Sequence, residues 1–172
     1  MRKLEYLGEK EDSEGEVKMK LEKLIDDLQN GTGITRSQAA AELGKLRDKR
    51  AADYLINALK DENGSVRSNA AFALAELGEK RAVPYLIQAL KDPEEWVKKS
   101  AAKSLGLLKA KEAVKALTLL LNEHSFTVRK NTVRSLGQIG GPEALEALAR
   151  AASGRDTLVA DMAKEAIEKL KA

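Results

Sequence analysis

Three acidic residues stand six positions ahead of three basic ones: Asp61 before Arg67, Asp92 before Lys98, and Glu123 before Arg129. Carboxylates set beside cations can do general acid–base work. They can equally form charge-assisted structural hydrogen bonds. The spacing favours the second use, because the set recurs every 31 residues and a catalytic centre has no need of equal copies. The expected ladder is Asp61, Arg67, Asp92, Lys98, Glu123 and Arg129. Each acid ends one helix and each cation begins the next. The carboxylate would accept from neighbouring backbone amides or from the basic side chain of an adjacent unit.

Little other chemistry is on offer. His124 is the single histidine and there is no cysteine. Cysteine-ligated metals, disulfides, thiol catalysis and paired-histidine sites are therefore excluded. The glycine-rich "GQIGGP" at 137–142 raises phosphate cradling, but no Lys-Ser/Thr follows as a P-loop needs. Gly137 shares a column with Gly44 and Gly106, where a small residue permits close helix packing, and Gly140 shares a helix-ending column with Gly78. Trp96 opens a helix, either as a partner anchor or packed on a neighbouring turn. No catalytic residue, metal or cofactor is expected, and the chain reads as a non-enzyme.

The elements that hold these residues follow from a repeat. "DKRAADYLINALKDE" (48–62) returns as "EKRAVPYLIQALKDP" (79–93) with 10 of 15 positions identical. Leu43, Leu74, Leu105, Leu136 and Ile167 form one column, and Leu55, Leu86, Leu117 and Leu148 another. Within a unit the apolar spacing is helical. Val66, Ala70, Ala71, Leu74 and Leu77 give one stripe, and Val83, Leu86, Ile87 and Leu90 a second. Gly78 ends the first helix and Asp92-Pro93 ends the second. Each unit is thus helix A, a tight turn, helix B and another turn. One such pair cannot bury enough apolar surface to stand alone, whereas stacked pairs bury both faces continuously.

The expected fold is therefore all-α, a solenoid of antiparallel helix pairs with a 31-residue repeat. Units span 32–62, 63–93, 94–124 and 125–155. A capping helix over 17–31 precedes them and a half repeat over 156–172 follows, the whole forming one domain. Residues 1–16 read as acidic and largely disordered.

Charge is uneven. Residues 1–31 hold 6 Lys/Arg and 9 Asp/Glu, a balance of −3, which leaves 24 and 18, or +6, for residues 32–172. A solvated helical surface accounts for such a surplus. Weak nucleic-acid binding would also use it, although aromatics for base stacking are only 3% of the chain. No apolar run is long enough to span a membrane and the N-terminus has no apolar signal core. Together with the absence of cysteine this points to the cytoplasm.

"VRSNAAFALAELGEKRAVPYLIQALKD" (66–92) resembles the HEAT-like repeat of phycobilisome lyase subunits and many prokaryotic adaptors. The resemblance runs through nearly all of 32–155. It implies a right-handed superhelix of the HEAT-like or armadillo type with B helices on its concave face. It also brings two rivals to a scaffold role, a lyase-like or chaperone-type accessory subunit acting on a prosthetic-group-bearing protein, and a nucleic-acid binder akin to HEAT-like glycosylases. HEAT-like deoxyhypusine hydroxylases hold iron with several His-Glu pairs, which a chain with one histidine cannot supply.

The informative surface is the solvent side of the B helices. One column there reads Asp53, Pro84, Lys115, Glu146, the next Tyr54, Tyr85, Ala116, Ala147, and a third Asn57, Gln88, Leu119, Arg150. Core columns repeat while the first and third vary, as expected where each unit meets a different part of a ligand. The expected function is a scaffold or adaptor, with a protein or peptide held by Tyr54, Asn57, Tyr85, Gln88, Lys115, Leu119 and Arg150. The sequence leaves the oligomeric state open and favours a monomer; no membrane partner is expected, and nucleic acid is disfavoured against a protein or peptide.

Overall fold

A computed structural model describes residues 2–171, with side chains from residue 14 on. Among the described residues the chain is helices and turns, without strand. It opens with α1, Arg2–Asn30, and continues with α2, Gly33–Leu46, and α3, Ala52–Ala58. Then come α4, Gly64–Glu76, and α5, Val83–Ala89, followed by α6, Glu95–Leu107, and α7, Val114–Leu120. The chain ends with α8, Phe126–Ile139, α9, Gly141–Ala152, and α10, Thr157–Lys171. The even-numbered helices are the A helices; α3, α5, α7 and α9 are the B helices. Each A helix packs directly on the next, and α3, α5 and α7 pack on the A helix that follows them. The result is an α-solenoid.

The repeated columns are its core. Leu43, Leu74, Leu105 and Leu136, with Leu55, Leu86, Leu117 and Leu148, are all fully buried. Small residues set how closely the A helices approach. A methyl group at Gly106 would sit 2.8 Å from the Ser135 Cα, and one at Gly44 the same distance from the Ala73 Cα. Gly137 faces the Ala166 Cβ. The glycine-rich stretch thus has a packing role at Gly137 and a turning role at Gly140 and Gly141, which have φ of +66° and +85°.

The turns are built locally. Lys49–Ala51, Lys80–Ala82 and Lys111–Ala113 each form a single 3-10 turn ahead of a B helix. Asp48 and Glu79 cap the first two by accepting from the Arg50 and Arg81 amides at 2.9 and 3.0 Å. A left-handed residue precedes each of these turns: Arg47 (φ 53°), Gly78 (66°) and Lys109 (52°). These turns leave α3, α5 and α7 only seven residues each.

The first helix is longer than the 17–31 cap expected from sequence. It is helical from Arg2, through the stretch expected to be largely disordered. No strong breaker lies between residues 2 and 30, since Gly8 and Gly15 each cost only about 1 kcal/mol against alanine. The part that packs is C-terminal: Leu21 and Leu28 are buried, and Leu24 and Ile25 rest against the core.

Candidate interaction face and its supporting ladder

The repeated acids and cations meet, but not as the six-residue spacing implied. Arg36 donates through Nε and Nη2 to both oxygens of Asp61, at 2.7 and 2.8 Å. Arg67 does the same to Asp92, at 2.7 and 2.9 Å. Lys98 meets Glu123 at 3.0 Å, and Arg129 meets Asp156 at 2.6 Å. In the first three pairs the carboxylate lies 25 residues after its cation, so it closes the far end of the same helix pair. The cation six residues on is reached instead through main chain. Arg67 Nη1 donates to the carbonyl of Asp61 at 2.8 Å, and Arg129 Nη1 to that of Glu123 at 2.6 Å. The extended turn holds the carboxylate over helix A of its own unit and presents its carbonyl to the next.

Sequence reasoning left Arg36 and Asp156 out of the ladder. Arg36 stands 31 residues ahead of Arg67, in register with Lys98 and Arg129. Asp156 is out of register, because the acidic column reaches Gly154 there and the acid sits two positions further on. Asp156 doubles as a helix cap, accepting from the Val159 amide at 3.2 Å. Asp61 and Asp92 accept in the same way from the Asn63 and Glu94 amides.

The electrostatics follow. Burial pushes the carboxyls of Asp61 and Asp92 up, yet the paired guanidinium, the accepted amide and nearby positive charge outweigh it. Both end below their usual value. Arg129 and the Val159 amide hold Asp156 down. A carboxylate kept ionised by a bidentate guanidinium is a poor proton shuttle, so the row is suited to structure rather than acid–base work.

The ladder and core fix the B-helix face. Asn57, Gln88, Lys115, Leu119 and Arg150 are exposed there. Tyr54 and Tyr85 are 36% and 37% exposed and Leu119 is 70% exposed. Lys60 sits 5.7 Å from the centre of the Tyr85 ring, an arrangement that favours a cation over an aromatic face. Tyr54 and Asn57 border an open cleft of about 450 Å³ whose other walls include Leu28, Arg36 and Asp61. Lys115 and Arg150 border another of about 360 Å³ with Glu143 and Glu146. Arg150 is paired with Glu146 at 2.6 Å, and Asp53 with Arg81 at 3.0 Å. The face carries rings, amides and charges but no cluster of acid, base and nucleophile.

Other candidates are placed elsewhere. His124 is exposed in a turn, and its carbonyl accepts from Arg129 at 2.7 Å. Trp96 is half exposed, with its ring nitrogen lying against Gly64. Among the described residues no group of acids and histidine could hold a metal ion. No helix there is long and apolar enough to cross a membrane.

Sequence profiles of HEAT repeats match residues 21–105 and 83–168. No curated protein matches the chain. Among solved structures, the complex of CpcE and CpcF of phycocyanin lyase from Nostoc sp. PCC7120 is similar at a TM-score of 0.76 and 33% identity. The match covers 87% of this chain and 64% of that one, so this chain spans less than two thirds of its length. An engineered protein superposes at 0.70 with 24% identity, over 87% of this chain and 78% of its own. A designed armadillo repeat protein in complex with the peptide (KR)4 superposes at 0.66 with 22% identity, over 86% and 80%. The last two speak to fold alone.

Proposed function

Because the chain belongs to the HEAT-repeat family, we propose that it is a non-enzymatic scaffold that binds a protein or peptide along its B-helix face. The observation that carries this reading is the exposure of Tyr54, Tyr85 and Leu119 in three successive units of one face. Large apolar surface left on a framework whose core is otherwise filled is a mark of interaction sites. Tyrosine suits an anchor, with a broad ring, few torsions to fix and a polar tip. Asn57, Gln88, Lys115 and Arg150 differ from unit to unit and supply selectivity.

The test is affinity capture after nuclease treatment, with wild type beside a Tyr54→Ala, Tyr85→Ala, Arg150→Glu variant. A polypeptide held by wild type and lost by the variant supports the face. Equal recovery by both argues against it.

The similarity to the CpcE–CpcF complex favours one second reading, an accessory subunit acting on a protein that bears a prosthetic group. The same B-helix face would then hold that protein or a partner subunit. Mixing the chain with a bilin and an acceptor protein tests it. An unchanged visible spectrum counts against it.

A further inference from the structure

The A-helix side carries a cluster of like charge. Lys99 and Lys103 lie one turn apart on α6, and Lys130 and Arg134 hold the same columns on α8. The four make a square of like charge on two adjacent helices. Among the described residues none of them is ion-paired, although many other surface cations are; Lys103 lies 4.4 Å from the centre of the Phe72 ring, and the other three have no aromatic partner among the described residues. Like charges at this spacing are mildly destabilising. The same two columns hold Ser37 and Ala41, then Ser68 and Phe72, then Asp161 and Glu165 in the other units. Beside the square, between α8 and α10, runs a groove of about 490 Å³ bordered by Lys130, Arg134 and Lys169 and also by Val133, Met162 and Ala166. Glu165 in the same groove is paired with Lys169 at 2.6 Å, which leaves Lys130 and Arg134 as the cations free to meet an acidic segment.

The same chain contains such a segment. Residues 9–16, EKEDSEGE, hold five acids and one base. They lie in the N-terminal half of α1, which has 29 residues where the next longest helix has 15. Leu21 is the first buried residue of α1 among the described side chains, and Val17 and Met19 are exposed. From its seat against α2 and α3, α1 continues along its own axis, whereas α6 and α8 lie two and three helix pairs along the stack. The acidic arm therefore reaches the basic square only on another molecule.

We propose that the Lys99, Lys103, Lys130, Arg134 surface binds the acidic N-terminal arm of a second copy of this chain. Two copies can exchange arms reciprocally and close a dimer, in place of the monomer the sequence suggested.

Sedimentation of the full chain over a concentration series, at about 50 and 500 mM salt, tests this, since screening weakens exposed charge pairs over that range. The expected result is association at low salt, weakened by about tenfold or more at high salt. A Lys103→Glu, Arg134→Glu variant and a Glu9→Lys, Asp12→Lys variant should each remain monomeric alone. Mixed, they should associate, because the unaltered acidic arm of the first then meets the unaltered basic square of the second. Circular dichroism melts confirm that both variants fold. A wild type that is monomeric at low salt overturns the proposal, as does association that survives either reversal. Retention of a DNA duplex by a monomeric wild type also overturns it, and assigns the square to phosphates.

Discussion

Arg67 joins two units through one side chain. Its Nε and Nη2 hold both oxygens of Asp92 at 2.7 and 2.9 Å, while Nη1 donates to the carbonyl of Asp61 at 2.8 Å. Asp61 in turn is held by Arg36, so the contacts run unbroken from the first unit into the second. The side chains of Arg67 and Asp92 are only 14% and 8% exposed.

Removing one partner of a pair this sheltered leaves a charge without its counterpart. Asp92→Ala also deprives the Glu94 amide of its acceptor. It should lower unfolding free energy by about 2–3 kcal/mol. Glu123→Ala breaks a single lysine contact to a side chain that is 32% exposed, and should cost about 1 kcal/mol or less. Thermal melts of both variants check the order. Partner binding should be unchanged at a temperature where both are folded.

Stability should fall in acid. The folded-state carboxyls of Asp61, Asp92 and Asp156 sit below their ordinary value. Their contribution is full above an unfolded-state value near about 3.9, and is lost as pH falls through the lowered folded values. Urea midpoints measured from about pH 7 down to about pH 2.5 should hold level and then drop below about pH 4. Asp92→Ala should show a shallower drop than wild type.

Arg47 and Lys109 occupy the left-handed column that Gly78 fills without penalty. A side chain there costs about 1–2 kcal/mol, partly offset by the extra freedom glycine has when unfolded. Lys109→Gly should therefore stabilise by about 0.5–1 kcal/mol, read as a rise in melting temperature. The same change at exposed Gln88, inside α5, should instead destabilise by about 1 kcal/mol.

The repeat was legible because each unit faces nearly the same environment, so Leu74, Leu105 and Leu136 answer one packing problem three times. The tight turns were legible at Gly78 and Gly140 but not at Arg47 or Lys109, whose backbone is set by the turn and not by their own preference. The ladder was legible as a set of residues and misread as a set of partners. Six residues is close in sequence, yet the turn directs the carboxylate back to a cation 25 residues earlier. Asp156 was missed because the column slips by two where the last unit lengthens its turn. On the B-helix face, sequence gave columns of varying residues. Which side chains border a cleft depends on the angle between neighbouring helices, which no column of letters carries.

The central claim is that the partner meets the B-helix face. A photo-crosslinking residue placed at Gln88, at Leu119, or at Gln38 on the A-helix side tests it most directly, because all three positions are exposed. The account predicts a partner adduct from positions 88 and 119, none from 38, and loss of the adducts when Tyr54 and Tyr85 are both replaced by alanine. An adduct from 38 alone, or adducts at 88 and 119 that persist without the tyrosines, would contradict it.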